Sequence, residues 1–119
     1  MSTESNQYLF ILRQPANFPN LSPEEMQKVM AKWMSWIEQM KSKGQYVGGH
    51  QLDAAGNVLS GPKGRTVTDR PFAEAKEVVG GYMIIKAKDL EHATEIARDC
   101  PGLERNEKVE VRPLIIRPA

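Results

Sequence analysis

The sequence holds a single cysteine, Cys100, so the chain can close no disulfide on itself, and a reducing cytoplasm is the expected setting. It has no apolar run near the roughly 20 residues that span a bilayer, so no membrane partner is expected. Its opening, "MSTESNQYLF", lacks a basic region followed by a long apolar stretch, and a secretory signal is not expected. Charge of neither sign dominates: 16 basic and 15 acidic residues leave +1 over 119 residues. That balance gives no electrostatic reason to expect nucleic acid or an anionic surface as partner. There are only two histidines, His50 and His92, both far from Cys100 in sequence, which makes a weak case for zinc. No metal or cofactor is therefore expected. No GxxxxGK[ST], GxGxxG or GxSxG motif is present, which removes the common phosphate-loop, dinucleotide and serine-hydrolase readings. Repeats, low-complexity tracts and linkers are missing too, so residues 1–119 read as one domain.

What is there has clear periodicity. "YLFILR" reads as a strand with apolar residues on both faces: Tyr8, Phe10 and Leu12 on one, Leu9 and Ile11 on the other. "LSPEEMQKVMAKWMSWIEQMKSKG" predicts a helix. Ser22 and Glu25 have capping-box spacing, Pro23 sits where its missing N–H costs nothing, and Gly44 is a terminator. Met26, Val29, Met30, Trp33, Ile37 and Met40 are its expected inner face. "YVGGHQL" is a second strand, and a hairpin is expected around Gly61 to Gly64. "VVGGYMIIKA" is another strand, its paired glycines suiting a bulge or a close strand approach rather than a phosphate loop. Asp89 caps a second helix with Leu90, Ala93, Ile96 and Ala97 inward and His92 exposed. "KVEVRPLIIR" closes the chain as a strand, with Pro113 pointing to an edge or bulge. Cys100 before Pro101 reads as structural.

The order strand, helix, strand, hairpin, strand, helix, strand predicts a ferredoxin-like α+β sandwich with a hairpin insertion. Two helices cover one sheet face, yet the strands at Tyr8 to Leu12 and Val78 to Ile85 are apolar on both. The second face must meet something. A second copy of the chain, giving a homodimer, is the preferred reading; the hairpin folding back over that face within one chain is the other.

"VTDRPFAEAKEVVGGYMIIKAKDLEHATEIARDCP" resembles the signature region of the YCII-related family, in particular its DGPF-domain branch. The matching residues are Asp69, Pro71, Phe72, Glu74, Lys76, Glu77, Gly80, Gly81 and Pro101. "LSPEEMQ", "GGHQL" and "VEVRPL" also fit the family's pattern. Where the family usually has glycine this chain has Arg70, which before Pro71 should be extended. The resemblance implies a dimeric ferredoxin-like α+β barrel and a small-molecule enzyme or binding protein. It also implies an active pair of one histidine and one aspartate, for which His50 and Asp69 are the candidates.

The residues admit chemistry of that kind. Histidine is the side-chain type suited to proton transfer near neutral pH, so His50 can serve as general acid or base. Alternation expects it on the face of Tyr46, Gly48 and Leu52, with Gly48 and Gly49 leaving room beside it. Its structural alternative is a hydrogen-bonded histidine at a strand end. Asp69 can orient His50 or act as a base, or can be a turn residue holding backbone N–H groups. Arg70 can bind a carboxylate or phosphate bidentately, or be solvated. Glu74 and Glu77 can line the same cleft, or pair with Lys76 or Arg65. Tyr82 can turn its hydroxyl toward a ligand, or pack. Phe72 is expected to anchor the loop, with the charged residues rimming a cleft at the open sheet face. The expected function is acid/base chemistry on a small polar or carbonyl metabolite, with a non-catalytic ligand-binding or regulatory dimer as the alternative.

Overall fold

The structure is a computed structural model, described here for residues 6–17, 20–70 and 75–116. Its elements follow the predicted order: β1 (Gln7–Pro15), α1 (Pro23–Ser42), β2 (Tyr46–Gln51), β3 (Gly56–Ser60), β4 (Thr66–Arg70), β5 (Glu77–Lys86), α2 (Leu90–Ala97) and β6 (Lys108–Pro113). Four strands form an antiparallel sheet in the order β2-β5-β1-β6, the ferredoxin-like arrangement, while β3 and β4 pair with each other as a separate hairpin.

Local chemistry sets the helix ends. The Ser22 hydroxyl accepts from the Glu25 N–H and the Glu25 carboxylate accepts from the Ser22 N–H, both at 3.1 Å, which satisfies two amides that the first turn cannot. Gly44 takes a φ of +71° just beyond the last turn. Asp89 accepts from the His92 N–H at 2.8 Å and starts α2. His92 is half-buried rather than exposed, because its Nδ1 accepts from the Lys88 N–H at 3.0 Å and folds the ring back over the cap.

Both helices pack on one face of the sheet. Tyr8 and Phe10 of β1, Met83 and Ile85 of β5, Trp36 and Met40 of α1, and Ala93, Ile96 and Ala97 of α2 form the buried core. Phe10 stacks on Trp36 with ring centroids 6.2 Å apart and planes 6° from parallel. Cys100 is part of this core, and burial pushes its thiol up to about 11, so it stays protonated at neutral pH. The expected inner face of α1 needs a correction. Trp36 and Met40 carry the contact, whereas Met26 and Met30, expected inside, are half exposed. The helix is seated through its C-terminal half and stands off the sheet toward its N-terminus.

Two register shifts decide which side chains share a face. Leu12 lies opposite Gly81 and Arg13 opposite Val79, so Gly80 is an extra residue on β5. Tyr46 lies opposite Ile85 and Gly48 opposite Ile84, so Val47 is an extra residue on β2. The second shift corrects the expected alternation. Val47 inverts the phase of β2, leaving Tyr46 on the helix side with Ile85 while His50 joins Tyr82 on the opposite side.

That opposite side carries Leu9 and Ile11 of β1 and Tyr82 and Ile84 of β5, all half-buried. The hairpin does not cover it. Every residue of β4 and four of the five in β3 are exposed, and the cross-strand apolar pair Leu59 and Val67 is among them. The radius of gyration is 16.5 Å, against about 13.5 Å expected for a compact chain of this length. The hairpin therefore stands away from the body as an arm.

Candidate functional site

On the open sheet face, one row of directly opposed residues runs His50, Tyr82, Ile11, Glu110 from edge to edge. His50 Nδ1 lies 3.0 Å from the Tyr82 hydroxyl, with the rings 5.8 Å apart and tilted by 41°. This contact couples the two groups that alternation and the Val47 bulge bring together. When Nδ1 carries hydrogen it donates to the phenol oxygen, and Nε2 offers a lone pair that can take a proton. When the hydroxyl donates to Nδ1, Nε2 carries the hydrogen and can give it. The pair can thus work in either direction of a proton transfer.

The other end of this face is a charge ladder. Arg13 binds Glu77 at 2.7 Å and Glu110 at 3.2 Å, and Lys108 binds Glu77 at 2.6 Å. The Lys108 ammonium, with Arg13 beside it, holds the Glu77 carboxyl below the usual carboxylate range. Glu77 therefore pairs with neighbouring strands, not with Lys76 or Arg65, because β1 and β6 lie adjacent in the sheet.

The remaining predicted residues lie elsewhere. Asp69 and Arg70 are exposed on β4 of the arm, opposite Asn57 and Gly56. The ion pairs among the described residues do not include one between His50 and Asp69. Glu74, Pro71 and Phe72 fall outside the described residues, and so does the expected anchoring of the loop by Phe72.

A second feature was not expected from the sequence. Beneath the raised half of α1 lies a cavity of ≈ 370 Å³. Its floor includes Gly49, Gly80 and Gly81, and Met26, Met30 and Met34 are in its roof. The glycines have a reason to be there. A Cβ at Gly49 would lie 2.5 Å from the Tyr82 carbonyl oxygen, and one at Gly80 would lie 2.8 Å from the Gln14 side chain. The polar lining includes Gln14, Gln51, Arg105 and Glu107. The Glu107 side chain is 10% exposed and that of Arg105 23%, with 3.8 Å between Glu107 Oε2 and Arg105 Nη1. Burial pushes the Glu107 carboxyl above its ordinary value, and Arg105 only partly offsets this. The one sequence signal for this end is Gly102, where a Cβ would come within 2.6 Å of Glu107 Oε1.

A carboxyl whose pKa is raised by folding holds its proton more tightly in the folded chain. Stability is then lost as pH rises from the ordinary value of 4.5 through the raised folded value. Glu107→Gln removes that loss. Denaturation at about pH 4 and about pH 7 should show the variant gaining on the parent only at the higher pH. A gain of equal size at both would remove burial of the charge as its cause.

Among the described residues no group of three His, Cys, Asp or Glu side chains gathers as a metal site, and no helix is long and apolar enough to cross a membrane. The family model of the YCII-related domain matches residues 7–115. No curated protein matches the chain.

Proposed function

The chain belongs to the YCII-related domain family, and from that premise we propose that it is a small-molecule enzyme of the DGPF-like branch, working by acid/base chemistry at the open sheet face. One observation carries the reading: His50 and Tyr82, from different strands, meet at 3.0 Å on a face that neither α1 nor α2 covers. His50 is the proton-transferring group. Tyr82 sets its tautomer and can present a hydroxyl to a carbonyl or hydroxyl of the substrate. Arg70 and Glu74 are proposed ligand-binding groups. A buried, protonated Cys100 is compatible with a cytoplasmic setting.

The site needs a second copy of the chain. Half-buried apolar residues on the open face and an arm with Leu59 and Val67 exposed both favour self-association into a dimeric barrel. Asp69 lies on that arm, so its proposed partnership with His50 is one that a dimer would form. Sedimentation at micromolar concentration should give twice the chain mass, and a clean monomer would remove the barrel. In the dimer, Asp69→Asn should move the His50 ring signals in an NMR spectrum; unchanged signals would remove Asp69 as a partner of His50.

A thermal-shift screen against small polar and carbonyl metabolites tests the activity, since a ligand stabilises by mass action. A hit should lose its effect in His50→Ala and Tyr82→Phe, and be turned over only by the parent. A hit bound with no turnover favours the alternative, a non-catalytic ligand-binding or regulatory dimer, which the cavity beneath α1 also suits.

A further inference from the structure

Three segments meet where β5 ends: the end of α1, the end of β5 itself and the start of α2. They enclose a shallow surface groove whose lining includes Lys43, Lys86, Lys88 and His92, with Asn6 and Gln45 beside them. The groove shares no residue with the cavity beneath α1, whose lining includes His50 and Tyr82. Among the described residues no acidic side chain lines it. In a chain whose charges nearly cancel, 16 basic against 15 acidic, that segregation needs a cause.

Local structure gathers the lysines and leaves them without partners. Ala87 is buried, and alternation turns Lys86 and Lys88 outward on the side opposite to it. The Lys86 N–H donates to the Gln45 carbonyl at 2.7 Å, which ties the end of β5 to the loop after α1. Lys43 reaches the groove from the C-terminal end of α1. A cation there suits the helix dipole, but Lys86 and Lys88 have no such reason. The Gln39, Met40 and Lys41 carbonyls accept from the N–H groups of Lys43, Gln45 and Gly44, so three of the oxygens that end α1 are already bonded. Lys32, Lys41 and Lys108 each meet a glutamate, whereas among the described residues no carboxylate meets Lys43, Lys86 or Lys88. The acid next in sequence, Asp89, accepts from the His92 N–H as the cap of α2.

His92 adds a directed donor. Its Nδ1 accepts from the Lys88 N–H at 3.0 Å, so the neutral ring carries its hydrogen on Nε2. Among the described residues that hydrogen has no acceptor. The groove therefore offers three ammonium groups and one neutral N–H, all without protein partners.

We propose that this groove binds the diphosphate group of a small soluble molecule, with Lys43, Lys86 and Lys88 on its oxygens and the His92 Nε2–H as a further donor. Lysine binds phosphate as a compact point charge, and several of them in one depression suit a ligand with several negative charges close together. A nucleic-acid backbone calls for cations spread along its path, whereas these are gathered at one place on a chain of net charge +1. The inference is independent of the acid/base reading, because the two sites share no residue.

Inorganic pyrophosphate is the probe, compared with phosphate and sulfate at equal ionic strength and about pH 8, where an ordinary histidine is neutral. Pyrophosphate should move the His92 ring signals in an NMR spectrum. It should bind about fivefold or more tighter than phosphate or sulfate, the size of one further ion pair. Lys43→Gln, Lys86→Gln and Lys88→Gln should each weaken it by about two- to fivefold, and the triple variant by about tenfold or more. Lys28→Gln and Lys63→Gln remove the same charge at exposed positions outside the groove and should leave binding unchanged. All five lysines are exposed, so the fold is spared, and an unchanged circular-dichroism spectrum checks this. If phosphate or sulfate binds as tightly as pyrophosphate, the diphosphate assignment is wrong. If the two outlying variants weaken binding as much as the groove variants, net charge explains it and there is no site. A single-stranded oligonucleotide binding more tightly than pyrophosphate would assign the groove to nucleic acid instead. Unmoved His92 signals at saturating pyrophosphate would place any binding elsewhere.

Discussion

Replacing Phe10 with alanine should lower the free energy of unfolding by about 3–5 kcal/mol, the range for deleting a fully buried aromatic ring. Phe10 is 0% exposed, and it sits on β1, which is paired on both sides by β5 and β6. Its ring is stacked on Trp36, and Trp36 meets Trp33 edge-on at 5.7 Å. Removing Phe10 thus opens a hole in the sheet's centre and strips the contact that seats α1. A domain of this kind has about 5–15 kcal/mol in total, so the loss is a large share. Urea denaturation at fixed protein concentration measures it, the concentration held constant because the proposed self-association would add to apparent stability. Phe10→Leu should cost under about 2 kcal/mol, since it retains most of the volume. If Phe10→Ala costs less than about 1 kcal/mol, the stack does not anchor the helix and the core lies elsewhere.

The same residues show what could be read in advance. Features that depend on near neighbours in sequence were legible. The capping box of Ser22 and Glu25, the Asp89 cap, the Gly61 to Gly64 turn and the order of elements all rest on interactions within a few residues. So was the second apolar face, because period-two alternation in β1 and β5 reports it directly. Features that depend on offsets between strands were not. One extra residue at Val47 was enough to separate Tyr46 from His50, and no local composition marks it. The partners of Glu77 follow from β1 and β6 lying side by side, which the sequence order does not state. The cavity was hidden for a related reason: the periodicity of α1 runs unbroken from Met26 to Met40, whereas the sheet beneath its first half has lost its side chains. Gly49, Gly80 and Gly81 were visible, but the cavity they help to floor beneath the helix was not.

Gly48 and Gly49 turn that last point into a test, because they are adjacent and yet should respond oppositely to the same change. A Cβ at Gly48 meets nothing within 4 Å, so Gly48→Ala should fall within about 0.5 kcal/mol of the parent. A Cβ at Gly49 would lie 2.5 Å from the Tyr82 carbonyl oxygen and 2.7 Å from Met83 Cβ. These are backbone and near-backbone atoms that cannot swing aside, so β2 must move away from β5. Gly49→Ala should therefore cost about 1–3 kcal/mol, the usual range for overpacking. The displacement has a functional reading as well. His50 is the next residue, and its 3.0 Å contact with Tyr82 bridges the same two strands. Pushing them apart should lengthen that hydrogen bond, and the His50 ring signals in an NMR spectrum should then approach those of Tyr82→Phe. In Gly48→Ala they should match the parent. Equal stability losses in the two variants would mean that glycine is needed here for backbone freedom alone. His50 signals left unchanged in Gly49→Ala would mean that the His50–Tyr82 contact does not depend on how closely β2 approaches β5.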